Sequence, residues 1–220
     1  ISSITSSTNP DQNAWGSSLS SEIEWSTSDS LSGVMAVYRL LDQNSIEDNS
    51  TIMSNGVQDN ENGSLQTVLP KDGTWFFHLL VIDNTGLTTQ NTFKINADTT
   101  SPTINSLTSL THPSETTWYT AKSATLTWAT SDTGSGVMGV WTLVDQNIAQ
   151  NITNTLTNGK KSPESGSLTT SDLTDGIWYL HLAVKDNTGK TAYTSYKLMI
   201  DSSTPDIVAI NGNYNMNWQN

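Results

Sequence analysis

Asp72-Gly73-Thr74-Trp75-Phe76-Phe77-His78-Leu79-Leu80-Val81-Ile82-Asp83-Asn84-Thr85-Gly86 decides the fold. It returns 103 residues later as Asp175-Gly176-Ile177-Trp178-Tyr179-Leu180-His181-Leu182-Ala183-Val184-Lys185-Asp186-Asn187-Thr188-Gly189. Side chains alternate between the faces of a strand. The alternation predicts a strand over 75–83, with Trp75, Phe77, Leu79 and Val81 on the core face. Phe76, His78, Leu80 and Ile82 fall on the other face. An Asp-Gly before the strand and Asp-Asn-Thr-Gly after it are turn signals, because Asp and Asn bond to nearby backbone and Gly supplies positive φ.

The offset of 103 extends outward from this stretch without a gap. Trp15 falls on Trp118, Trp25 on Trp128, and Ser32-Gly33-Val34-Met35 on Ser135-Gly136-Val137-Met138. Residues 10–102 and 113–205 share 37 identities in 93 positions. Internal repetition therefore sets the frame of the chain. The frames are 1–103, 104–206 and 207–220. The last reads as the first strand of a third repeat, or as a strand donated to a neighbouring subunit.

Within each frame, short alternating segments lie between turn signals. Ile23 and Trp25 share a parity, as do Leu126 and Trp128. The segment 34–41 is apolar in both parities, so its core face stays open. No stretch has a helical period of useful length. The pattern is that of an all-β sandwich in each repeat.

Composition narrows the function. The formal net charge is −12 with nine Lys plus Arg, so no basic patch exists for nucleic acid or anionic lipid. A divalent cation suits this charge best. The absence of cysteine removes disulfides, thiolate catalysis and Cys-ligated zinc. No apolar run is long enough to insert this segment into a membrane.

Trp25-Ser26-Thr27-Ser28-Asp29 followed by Ser32-Gly33-Val34, then Asp72-Gly73-Thr74-Trp75, Asp83-Asn84-Thr85-Gly86 and the joint Asp98-Thr99-Thr100-Ser101-Pro102 all recur in the second repeat. These motifs resemble the immunoglobulin-like and fibronectin-III-like tandem repeats of bacterial and archaeal cell-surface proteins. The resemblance implies two tandem immunoglobulin-like β-sandwich domains plus the first strand of a third. It also implies an extracellular, non-enzymatic structural segment of an adhesin stalk, surface layer or filament, whose partners are neighbouring copies of the repeat or the same protein. The alternative is an adhesive module that recognises carbohydrate or a host or cell receptor through exposed Trp and loops.

Candidate residues follow from their chemistry. Asp29, Asp83, Asp98, Asp132, Asp186 and Asp201 offer oxygen ligands for structural Ca²⁺, with Asp98 and Asp201 beside the joints. Trp15, Trp118 and Trp218 read either as plugs at a domain end or as platforms for a sugar. Asn49, Asn62 and Asn151 head glycosylation sequons. Phe76, His78, Leu80 and Ile82 form a greasy outer face that suits a partner contact. His78 and His181 are equivalent and have no recurring nucleophile beside them, which argues against catalysis.

Overall fold

A computed structural model describes residues 1–206 of the chain. The first repeat runs through β1 (Ser3–Ser6), β2 (Trp15–Gly16), β3 (Ser20–Ser26), β4 (Val34–Asp42), α1 (Asn49–Asn55), β5 (Val57–Asp59), β6 (Asn62–Val68), β7 (Gly73–Asp83) and β8 (Thr88–Ala97). The second follows the same order with β9 (Thr103–Ser109), β10 (Trp118–Tyr119), β11 (Thr125–Ser131), β12 (Val137–Asp145), α2 (Ile152–Asn158), β13 (Lys160–Ser162), β14 (Ser165–Thr169), β15 (Gly176–Asp186) and β16 (Thr191–Ile200). The segment 207–220, read from sequence as a further first strand or a donor strand, lies outside the described residues, and Trp218 with it.

In repeat 1, β1-β3-β6 forms one sheet and β2-β8-β7-β4-β5 the other. Repeat 2 has β9-β11-β14 and β10-β16-β15-β12-β13. Among the described residues no sheet mixes strands of the two repeats. The short β2 and β10 run parallel to β8 and β16, and the other pairings are antiparallel. This is the immunoglobulin-like sandwich, all-β and twice built.

The core lies between the sheets. Ile23 and Trp25 of β3 meet Phe77, Leu79 and Val81 of β7 and Phe93 and Ile95 of β8. The Trp25 and Phe77 rings stand 5.6 Å apart. In repeat 2, Leu126 packs with Leu180 and Leu198, while Trp128 packs with Leu182 and Val184. Fully burying such side chains contributes about 1.5–3 kcal/mol each.

The outer face of β7 differs from its sequence reading. His78, Leu80 and Ile82 are buried within the chain, and Phe76 is half-buried. They are no partner surface, because α1 covers that side and seats Ile52 on Leu80 and Ile82. Ala36, Tyr38 and Leu40 of β4 join this second cluster, while Val37 faces the main core. Both parities of β4 are apolar for that reason. The helix leaves no helical period in the sequence because its seven residues bury only Ile52. Asp48 starts it, accepting a hydrogen bond from the Thr51 N–H at 2.7 Å. Asn151 starts α2 in the same way, through the Asn154 N–H at 2.9 Å.

Candidate functional site

Two loops build one end of each sandwich. In repeat 1 the β3–β4 loop carries Asp29 and the β7–β8 turn carries Asp83; in repeat 2 the equivalent loops carry Asp132 and Asp186. The turns hold themselves. Asp83 Oδ1 accepts from the N–H groups of Thr85 at 2.8 Å and Leu87 at 2.9 Å. Asp186 Oδ1 accepts from Thr188 and Lys190 at 2.8 Å each. Gly86 and Gly189 take the left-handed φ of 86° and 94° that closes such a turn. An asparagine then laces the turn to the other loop, since Asn84 Nδ2 donates to the Ser32 carbonyl at 2.7 Å and Asn187 Nδ2 to that of Ser135 at 2.8 Å.

The two ends part in what reaches them. In repeat 1, Asp29 and Asp83 line an open depression of about 140 Å³. In repeat 2 the joint enters. Asp98, which follows β8, donates its backbone N–H to the Gly16 carbonyl at 2.9 Å. Its Oδ1 accepts from Thr100 N–H at 3.0 Å and Thr100 Oγ1 at 2.8 Å. Its Oδ2 crosses to the second repeat and accepts from the Ser135 N–H at 2.7 Å. Lys190 returns the contact, with Nζ donating to the carbonyls of Asp98 at 3.1 Å and Ser17 at 3.3 Å. Gly134 makes the room: a Cβ there would stand 2.3 Å from Asp98 Cγ.

This entry rearranges the loop. Asp29 Oδ2 gathers the N–H groups of Ser32 and Gly33 at 2.7 and 2.8 Å. In repeat 2 the Ser135 N–H goes to Asp98, and Asp132 Oδ2 keeps only the Gly136 N–H at 2.6 Å. Asp98, Asp132 and Asp186 each present a carboxylate oxygen within 4.8 Å of the other two. Asp98 and Asp186 are fully buried, at 0% exposure. Asp132 Oδ1 and Asp186 Oδ2 are buried without a hydrogen-bond partner among the described residues. Burial works against the Asp98 carboxylate, yet hydrogen bonds from Ser135 and Thr100 outweigh it and hold its pKa below the ordinary value. Unit charges this close repel by roughly 3–4 kcal/mol per pair at an effective dielectric near 20.

The structure thus gathers three of the six aspartates singled out by sequence. Asp29 and Asp83 lie at the other end of repeat 1. Asp201, the counterpart of Asp98, is exposed and caps Ser203, accepting from its Oγ at 2.7 Å. Gly134 and Lys190 were missed. Their signal is a mismatch in the repeat alignment, where they replace Leu31 and Leu87.

The remaining candidates stay apart. Trp15 is half-buried, and Trp118 is 51% exposed on the two-residue strand β10. Asn49 Nδ2 donates to Thr88 Oγ1, Asn62 Oδ1 accepts from the Thr27 N–H, and Asn151 caps α2. His78 and His181 are buried with both ring nitrogens engaged: His78 by Thr92 and Asn44, His181 by Tyr193 and Asp145. Such rings are fixed in the fold and open to no substrate.

No protein-family model matches the chain, and neither does any curated protein. Solved structures similar to it include the fibronectin(III)-like modules of CbhA from Clostridium thermocellum, at 13% identity and a TM-score of 0.36, covering 90% of this chain and 94% of that one. Murine CEACAM1b is similar at 15% identity and a TM-score of 0.43, with 90% and 100% covered. The D00-D0 domain of intimin is similar at 10% identity and a TM-score of 0.33, with 90% and 100% covered. Among the described residues no helix is long and apolar enough to cross a membrane.

Proposed function

We propose that this chain is a structural spacer of an extracellular prokaryotic surface protein, such as an adhesin stalk, surface layer or filament. It performs no catalysis. Each sandwich buries its own core, and the joint fixes the angle at which the next one continues. The observation that carries this reading is the reciprocal clamp: Asp98 of the first repeat bonds to Ser135 of the second, and Lys190 of the second bonds back to Ser17 and Asp98 of the first. Short Pro-containing linkers stiffen rather than articulate, and Pro102 is buried here. Stability in such an array is local plus nearest-neighbour, so a clamp between neighbours is where stiffness is set.

Small-angle X-ray scattering on the whole chain tests this reading. One fixed arrangement of the two sandwiches should fit the curve. A curve that fits only a broad mixture of orientations contradicts it. The exposed Trp118 supports the adhesive alternative. Glycan binding by the wild-type chain that disappears in Trp118→Ala would replace the spacer reading with that one.

A further inference from the structure

The geometry points to a divalent-cation site across the joint, formed by Asp98, Asp132 and Asp186 and suited to Ca²⁺. It deepens the spacer reading by naming what locks the clamp. The cluster alone would carry little weight, since acidic loops are common. The added observation is that Asp186, wholly buried, leaves Oδ2 with no donor, and the half-buried Asp132 leaves Oδ1 so. Buried polar atoms are nearly always partnered, and an orphan carboxylate oxygen asks for a cation or a proton.

The donors select the ion. All are carboxylate oxygens, which suit a hard cation, and Ca²⁺ binds oxygen at about 2.3–2.6 Å in a tolerant geometry. Two oxygens on one such ion stand up to about 5 Å apart, which accommodates the 4.8 Å spread. Three carboxylates and the ammonium of Lys190 together sum to two negative charges. Lys190 does not meet them itself, because its Nζ is spent on the carbonyls of Ser17 and Asp98. Among the described residues no Lys or Arg pairs with any of the three. The ligands come from both repeats, so the ion bonds one sandwich to the next.

Calorimetric titration of CaCl₂ into the chelator-stripped whole chain tests this, beside thermal unfolding with and without Ca²⁺. One site should appear, with a rise in Tm. Asp186→Asn and Asp132→Asn should each weaken binding by about tenfold or more. Gly134→Ala should do the same although it keeps every carboxylate, because its methyl displaces Asp98. Asp83→Asn, in the equivalent loop of repeat 1, should leave binding unchanged. Circular dichroism establishes that each variant is folded. No heat and no Tm change at about 5 mM Ca²⁺, or binding that survives Asp186→Asn, Asp132→Asn and Gly134→Ala, overturns the site. Scattering with and without Ca²⁺ separates the two readings: a fixed arrangement with no Ca²⁺ binding sinks the site and leaves the spacer, and binding with orientations still mixed in the Ca²⁺-loaded chain keeps the site and sinks the spacer.

Discussion

Repeat 1 and repeat 2 present the same two acidic loops at one end, and within residues 1–206 a neighbour occupies them only in repeat 2. The backbone of the loops is shared, down to the Asn lacing and the left-handed glycines. Three side chains differ, and the exchange of Ser30 for Thr133 keeps a hydroxyl. Leu31, 97% exposed, stands where repeat 2 has Gly134, and Leu87, 72% exposed, where it has Lys190. A joint of this kind therefore does not belong to the Asp motif itself. It needs a side chain removed so that Asp98 can enter, and a cation added to bond back. The repeats also differ under their helices. Ile52, Leu80 and Ile82 make an apolar layer in repeat 1, where repeat 2 has Thr155, Ala183 and Lys185.

The largest expected effect lies under the helices. Ile52→Ala should cost repeat 1 about 2–5 kcal/mol, because it opens a cavity between α1 and β7. Thr155→Ala should cost repeat 2 only about 1 kcal/mol, the worth of its hydrogen bond to the Asn151 carbonyl. Urea unfolding of the affected repeat measures both, and equal losses would erase the contrast.

At the joint, Gly134→Ala should destabilise repeat 2 by about 1–3 kcal/mol through overpacking. Leu31→Ala at the matching position should stay within about 0.5 kcal/mol. If Leu31→Ala proved the costlier of the pair, the end of repeat 1 would have a neighbour as well.

A smaller effect follows from titration. The pKa of Asp98 is depressed in the folded chain. Its stabilising contribution is therefore complete above the unfolded carboxylate value of about 3.9 and is lost as the pH falls through the folded value. Between about pH 5 and 2, repeat 2 should lose more stability in the wild type than in Asp98→Asn. Parallel acid curves would show that the carboxylate does not bear on the joint.

Much of this was legible in the sequence. Period-two alternation placed Trp75, Phe77, Leu79 and Val81 in the core, where they lie. Asp98 could be singled out because it sits beside a joint. The rest was hidden for physical reasons. A seven-residue helix with one buried side chain has no period to detect, so the greasy face of Leu80 and Ile82 looked open to a partner. The acidic cluster joins residues that are 34 and 54 positions apart, 98 to 132 and 132 to 186. Only the lacing of two loops and the insertion of a third segment bring them together. Gly134 has no chemistry of its own to read, and its meaning appears only as the space Asp98 fills.

The stiffness of the joint can be measured as a distance. The chain has no cysteine, so Ser64→Cys and Ser167→Cys, equivalent exposed positions in the two repeats, can carry one spin label each. Pulsed electron–electron resonance on this doubly labelled chain should give a single narrow distance distribution, which broadens when Gly134→Ala is added. A distribution already broad in the otherwise wild-type chain would contradict a spacer with a locked joint.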